Sequence, residues 1–89
     1  MGALDGKVAI VTGAARGQGE AEARLFVAEG AKVMLTHVSP EGGAVAEALG
    51  DLAAFSPHDV SCTADWDRVV LATTQRFGRL DILVNNAAI

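Results

Sequence analysis

Four short runs of mostly apolar residues recur along this chain, and the stretches between them are long enough to form helices. The runs occupy residues 7–12, 31–36, 53–55 and 80–85. The first contains Val8-Ala9-Ile10-Val11 with no polar residue between, a pattern typical of strands buried on both faces of a sheet. Consecutive parallel strands need long crossovers, so the alternation predicts a β-α-β-α-β-α-β chain with a parallel sheet.

Three helices are predicted between these strands, each with a start or stop signal. They span residues 17–29, from Ser39-Pro40 to about 49, and from a cap at Ser61 or Thr63 to 77. Gly30 and Gly78 follow the first and third helices, where glycine is a favoured stop. Asp65 and Asp67 are expected in the first turn of the third helix, and Trp66 should anchor that helix against the sheet.

The fold class is predicted to be α/β, a doubly wound parallel sheet that is incomplete at four strands. In such a sheet the chain reverses direction after the third strand, which gives the strand order 3-2-1-4. The reversal opens a crevice at the carboxyl ends of strands 1 and 4, where ligands bind. Strand 4 would form an apolar edge whose unpaired backbone groups can associate with another chain.

The most informative segment is Thr12-Gly13-Ala14-Ala15-Arg16-Gly17-Gln18-Gly19, between strand 1 and the first helix. Glycines permit positive φ and close backbone approach, and a helix N-terminus presents unpaired N–H groups to an anion such as a pyrophosphate. A P-loop for triphosphate hydrolysis would need Lys and Ser or Thr after the last glycine, where this chain has Glu20-Ala21. The loop therefore predicts a nucleotide site of another type.

Taken with two later motifs, this loop resembles that of the short-chain dehydrogenase/reductase family. The motifs are Thr12-Gly13-x-x-x-Gly17-x-Gly19, Asp59-Val60 and Leu83-Val84-Asn85-Asn86-Ala87-Ala88. Residues 30–33 and 77–86 are similar to hydroxysteroid-dehydrogenase and acyl-carrier-protein-reductase-like members. The resemblance covers the whole chain and implies that residues 1–89 are the N-terminal part of a single NAD(P)-binding Rossmann domain.

The resemblance also implies which residues contact the cofactor. Around the adenosine ribose and pyrophosphate it places Gly13, Arg16, Gly17, Gln18 and Gly19; in the adenine pocket, Asp59 and Val60; and on the ribose side, Asn86, Ala87 and Ala88. Asn85 would tie strand 4 to its neighbours. Ala88 stands where the family usually has glycine, and its methyl group can crowd a closely approaching cofactor.

The choice between NAD and NADP depends on His37, which stands at the end of strand 2 where NAD-binding members carry a carboxylate. Without that carboxylate a 2′-phosphate is not repelled, and Arg16 can approach it, so NADP stays open. A neutral histidine can hydrogen-bond a ribose hydroxyl, and no second Arg or Lys follows strand 2 to complete a phosphate clamp. NAD is therefore slightly favoured, with a strand-end histidine of no consequence as the alternative.

The activity that the resemblance implies is hydride transfer between nicotinamide and a small-molecule alcohol or ketone, in a homo-oligomer. The family's catalytic Ser, Tyr-x-x-x-Lys and Asn lie C-terminal to the segments present here, and this chain has no tyrosine. No catalytic residue is therefore assigned, and whether the chain is an enzyme stays open. It is either the cofactor-binding half of an oxidoreductase, with the catalytic part absent, or a catalytically inactive nucleotide-binding or interaction module.

Composition argues against several other functions. Eleven acidic residues against seven basic ones give a net charge of -4, without the basic stripe that nucleic acids require. The sequence predicts no membrane span and no targeting signal, and the single cysteine, Cys62, is typical of a reducing cytoplasm. His58, Asp59 and Cys62 are close in sequence, but no further ligand cluster supports a metal site. His58 is expected to be a surface-loop histidine.

Overall fold

A parallel sheet of four strands forms the centre of the structure, a computed structural model that describes residues 2–14, 17–37, 42–59 and 62–85. The strands are β1 (Val8–Thr12), β2 (Lys32–His37), β3 (Ala53–Pro57) and β4 (Ile82–Val84). Each pairs in parallel with its neighbour in the order β3-β2-β1-β4. The predicted doubly wound sheet and its strand order 3-2-1-4 are confirmed.

Helices cover both faces of this sheet. They are α1 (Gly17–Ala28), α2 (Gly42–Leu49) and α3 (Thr63–Phe77), with a short 3-10 turn at Gly50–Leu52. On one face, α1 and α2 pack around Val11 and Leu35. On the other, α3 packs through Val69 against Ile10 and Met34. Side chains that alternate along β1 and β2 therefore enter two separate cores, which explains why these strands lack polar alternation.

The helix boundaries largely follow the sequence signals. Gly78 ends α3 in the left-handed conformation at φ 85°, and its N–H donates to the Thr74 carbonyl. The predicted cap at Thr63 is wrong, because Thr63 is already helical and Cys62 takes the N-cap position without a side-chain hydrogen bond. The alternative cap Ser61 and the Ser39-Pro40 start of α2 lie outside the described residues.

The position of one helix residue and the bounds of several strands differ from the sequence-based expectations. Asp65 lies in the first turn of α3 as predicted, but Asp67 lies beyond it. Strand β3 continues two residues past the predicted 53–55, because its backbone stays in register with β2 as far as the pair His37–Pro57. Pairing with a neighbouring strand, which local composition does not encode, lengthens this element.

Strand β4 lies at one edge of the sheet, next to β1 alone. Its side chains are less covered than those of β1, and Leu83 is 55% exposed although it lies beside the fully buried Ile10. An apolar edge strand was predicted here, and the structure agrees. None of the helices in the described part of the chain is both long and apolar enough to span a membrane.

Asp81 fastens the start of β4 to the start of β1. Its Oδ2 accepts the Val8 N–H at 2.9 Å, its own N–H donates to the Val8 carbonyl at 2.8 Å, and its Oδ1 lies 2.8 Å from Arg79 Nη2. The hydrogen bond from Arg79, followed by that from Val8, lowers the pKa of the Asp81 carboxyl. The ionised carboxylate therefore stabilises the fold above the unfolded-state pKa of about 4, and that stabilisation is lost as the pH falls below it.

We therefore expect Asp81→Asn, which keeps an acceptor for Val8 but removes the charge, to lower the melting temperature by a few degrees at pH 7. The difference from the unmodified chain should shrink as the pH falls below about 4, where the native carboxylate protonates. Circular dichroism melts between pH 3 and pH 7 measure this. Asp67→Asn, at an exposed position of α3, is the matched control. If the melting temperature of Asp81→Asn depends on pH as that of the unmodified chain does, the stabilising role assigned to the Asp81 carboxylate is contradicted.

Candidate functional site

The loop between β1 and α1 lies at the carboxyl edge of the sheet and contains backbone that favours glycine. Gly13 and Gly17 both have φ of 63°, in the left-handed region that side chains rarely adopt. At Gly17 an added Cβ would meet nothing within 4 Å, so conformation and not crowding favours glycine there. Gly17 and Gln18 are exposed at the start of α1, where the helix has unpaired N–H groups.

Gly19 is required for a different reason, because it is buried in the first turn of α1 against the loop. A Cβ at this position would clash with the Gly13 carbonyl group, at 2.7 Å from its carbon, and would lie 3.1 Å from Ala14 Cα. The obstructing atoms belong to the backbone and cannot rotate away. Gly19 therefore lets the N-terminus of α1 approach the backbone of Gly13 and Ala14 at the end of β1.

Thr36 joins this loop to the neighbouring strands. Its carbonyl accepts the Ala14 N–H at 3.1 Å, and its Oγ1 lies 3.0 Å from Nδ1 of His58. The side chain is fully buried, and Thr36 lies in register with Thr12 on β1. The loop after β1 and the segment after β3 are thus both fastened to one residue near the end of β2.

Thr12 makes the corresponding connection on the other side of β1. Its hydroxyl donates to Oδ1 of Asn85 at 3.0 Å and lies 3.4 Å from the Val84 carbonyl oxygen. The prediction that Asn85 ties strand 4 to its neighbours is therefore confirmed. The hydrogen bond positions the end of β4 beside the end of β1, at the reversal point of the sheet.

The described residues that were predicted to bind a cofactor lie at the ends of adjacent strands. Gly13, Gly17, Gln18 and Gly19 follow β1, His37 ends β2 and Asp59 follows β3. His37 is half-buried, whereas Asp59 is exposed and its N–H donates to the Asp65 carboxylate at 2.8 Å. The other predicted residues, Arg16, Val60, Asn86, Ala87 and Ala88, lie outside the described residues.

His58 contradicts its expected place on the surface, because it is only 2% exposed. Its ring meets that of Trp66 edge-to-face, with centroids 4.2 Å apart, and its Nδ1 faces Thr36. Desolvation by this burial lowers the pKa of the imidazole. His58 was expected on the surface because it lies in a polar segment, and its neighbours Pro57 and Asp59 are indeed exposed. The side chains that cover it, those of Thr36 and Trp66, do not adjoin it in sequence. Trp66 was expected to anchor α3 against the sheet; its ring contacts His58 just after β3, and Val69 is the residue of α3 that packs against Ile10 and Met34 of the sheet.

Two arginines near the carboxyl edge of the sheet have hydrogen-bond partners close to them in the structure. Glu20, the acidic residue in the first turn of α1, lies 2.9 Å from Arg24 one turn later. Arg68 of α3 donates to Ser56 Oγ at 2.9 Å and to the Pro57 carbonyl, which fastens α3 to the end of β3. Within the residues that the structure describes, no group of three or more His, Cys, Asp or Glu side chains is arranged to hold a metal ion.

Comparison with known proteins gives a consistent family assignment. The family model for short chain dehydrogenases matches residues 7–89. A 3-beta-hydroxysteroid dehydrogenase of Comamonas testosteroni is 46% identical over 87 residues, covering 97% of this chain and 34% of the relative. A 3-alpha-(or 20-beta)-hydroxysteroid dehydrogenase of Mycobacterium tuberculosis is 47% identical over 89 residues, covering 99% of this chain and 34% of that protein.

Solved structures show the same similarity in three dimensions. The structure of 3-ketoacyl-(acyl-carrier-protein) reductase from Brucella melitensis complexed with NADH superposes with a TM-score of 0.94 at 45% identity. The match covers 98% of this chain and 36% of that structure. The chain thus spans about a third of the length of the relatives it matches. On the family model and the shared sheet, it belongs to the short chain dehydrogenase family, whose fold binds NAD(P).

Proposed function

We propose that residues 1–89 form the N-terminal part of a single Rossmann domain and bind the adenosine and pyrophosphate parts of a nicotinamide dinucleotide. The observation that carries this proposal is the close contact of Gly19 with the Gly13 carbonyl group. It brings the N-terminus of α1 against the end of β1, and Gly17 and Gln18 are exposed at that N-terminus, a combination suited to an anionic ligand.

The proposed contacts follow the edge of the sheet. The pyrophosphate and adjacent ribose are assigned to Gly13, Arg16, Gly17, Gln18 and Gly19; the adenine to Asp59 and Val60; and the remaining ribose side to Asn86, Ala87 and Ala88. His37 is assigned to the adenosine ribose hydroxyls, because it ends the strand adjacent to β1. The bound dinucleotide supplies a nicotinamide ring that accepts or donates hydride.

NAD is the proposed cofactor, in preference to NADP. His37 can accept or donate a hydrogen bond to a ribose hydroxyl, and no Arg or Lys occurs between residues 37 and 59 to hold a 2′-phosphate. The Brucella melitensis reductase was solved with NADH, which supports the same choice.

The activity proposed for the whole protein is hydride transfer between the nicotinamide and an alcohol or ketone, by a homo-oligomer in the cytoplasm. Support comes from the matched relatives, which are named as dehydrogenases and a reductase. The single cysteine, Cys62, suits a reducing compartment. Turnover of an alcohol by the native gene product would favour this proposal over a catalytically inactive binding module.

Cofactor binding is tested by titrating the folded chain with NADH while following the emission of Trp66, the one tryptophan. Saturable quenching that NAD+ competes away is the expected result. NADPH serves as the comparison ligand, and circular dichroism establishes that the chain is folded. A folded chain that shows no saturable binding of either dinucleotide would overturn the proposed function.

Replacing Gly19 with Val should abolish saturable NADH binding, because the added Cβ displaces the loop backbone that is assigned to the pyrophosphate. Helix content should stay nearly intact in the circular dichroism spectrum. Gly43→Ala is the matched control, since Gly43 is also helical and an added Cβ there would lie 3.8 Å from Phe55 in ordinary contact. Equal affinity in Gly19→Val and the unmodified chain would contradict the assignment of the loop.

Replacing His37 with Asp should raise the ratio of NAD to NADP affinity by roughly tenfold, which corresponds to about 1.4 kcal/mol. The new carboxylate would accept hydrogen bonds from the ribose hydroxyls and repel a 2′-phosphate. His37→Asn adds an amide of similar size without the charge and separates these two effects. Calorimetric titrations with both cofactors measure the ratio, and an unchanged ratio in His37→Asp would show that the end of β2 does not determine the preference.

A further inference from the structure

His58 connects three elements at the carboxyl edge of the sheet. The ring nitrogen Nδ1 lies 3.0 Å from Thr36 Oγ1, and the ring contacts Trp66 of α3. The backbone N–H of His58 donates to the His37 carbonyl at 3.0 Å. The side chain is almost fully buried between these partners. A histidine in this position holds the segment after β3 to both β2 and α3.

The partners of His58 are also attached to the proposed cofactor site. Thr36, which faces the imidazole, accepts the Ala14 N–H from the glycine loop through its carbonyl. Asp59 follows His58 directly, and its N–H is held by Asp65 at the start of α3. His58 is therefore connected to both sides of the proposed site, to the glycine loop through Thr36 and to Asp59 through the adjoining backbone.

The protonation state of His58 is constrained by these surroundings. Its buried Nε2 has no hydrogen-bond partner among the described residues. The charged groups that face the ring are Asp65 and Arg68 on α3 and Asp59 in the adjoining segment, and burial outweighs their combined effect to lower its pKa. A protonated ring would carry an N–H donor at each nitrogen, one of them buried without an acceptor. The neutral imidazole is the form that fits.

We propose that neutral His58 is a positioning residue that holds Asp59 and the glycine loop in the arrangement that binds the adenosine half of the cofactor. Protonation of His58 puts a charge and an Nε2–H without an acceptor into this buried position, which favours withdrawal of the ring from Thr36 and Trp66 and so weakens cofactor binding. The inference rests on the proposed function, since it concerns the same site. Below the pKa of His58, affinity falls by up to about tenfold per pH unit, because one proton must leave on binding.

The chain has only two histidines, His37 and His58, which permits a matched test. NAD+ affinity is measured by calorimetry between pH 5 and pH 8 in the unmodified chain, His37→Asn and His58→Asn. The expected result is weaker binding at acidic pH in the unmodified chain and in His37→Asn, and a flat profile in His58→Asn. Loss of the pH dependence in His37→Asn alone would assign it to His37 and overturn the proposal.

A second measurement leaves His58 unaltered and decides the question if His58→Asn fails to fold. Trp66 emission is titrated with acid in His37→Asn, with and without saturating NAD+, because the ring contact makes that emission sensitive to the charge on His58. If protonation of His58 weakens NAD+ binding, then bound NAD+ must oppose protonation of His58 to the same extent. Saturating NAD+ should therefore move the midpoint of the acid titration of Trp66 emission to lower pH. An unmoved midpoint in a His37→Asn chain that binds NAD+ would overturn this inference alone, whereas absence of NAD+ binding by the unmodified chain at every pH would overturn the proposed function with it.

Discussion

Burial of β1 on both faces is the constraint on which the rest of the structure depends. Every residue from Val8 to Thr12 is at most 1% exposed, which requires a helical layer on each side and a strand along each edge. A parallel sheet satisfies these requirements only if the chain crosses to the second face after β3, because its crossovers are right-handed. The reversal point, and the site next to it, therefore follow from the position of one apolar strand.

Two buried threonines form the hydrogen bonds that join the carboxyl ends of the strands. Thr12 and Thr36 are adjacent in register and fully buried, and a buried hydroxyl needs a hydrogen-bond partner. Thr12 reaches Asn85 after β4, and Thr36 reaches His58 after β3. Each threonine thus bonds to the segment that follows the strand on its own outer side, so the carboxyl ends of all four strands are connected.

The sequence predicted this fold well because its strongest signals are local. Buried strands such as β1 require uninterrupted apolar residues, and a helix end such as Gly78 requires a residue that tolerates positive φ. The glycine loop was also found from local signals, because Gly13 and Gly17 adopt positive φ. His58 was misplaced because its burial depends on Trp66 and Thr36, neither of which adjoins it in sequence. The cap of α3 was misassigned to Thr63 because Thr is a favoured cap residue, whereas the backbone places the N-cap one residue earlier, at Cys62.

The two side chains whose pKa is lowered by the fold, Asp81 and His58, lie at opposite ends of the sheet. Asp81 joins the amino ends of β1 and β4, and its pKa is lowered by Arg79 and Val8; His58 joins the carboxyl ends of β2 and β3, and its pKa is lowered by burial. In both cases the unfolded chain binds the proton more readily, so stability rises with pH, below about 4 for Asp81 and below about 6.5 for His58. Because only the carboxyl end adjoins the proposed cofactor site, the loss of affinity should depend on His58, whereas the loss of stability should continue to lower pH through Asp81. Affinity should decline in the upper range, where Asp81 is still ionised and the strands remain fastened.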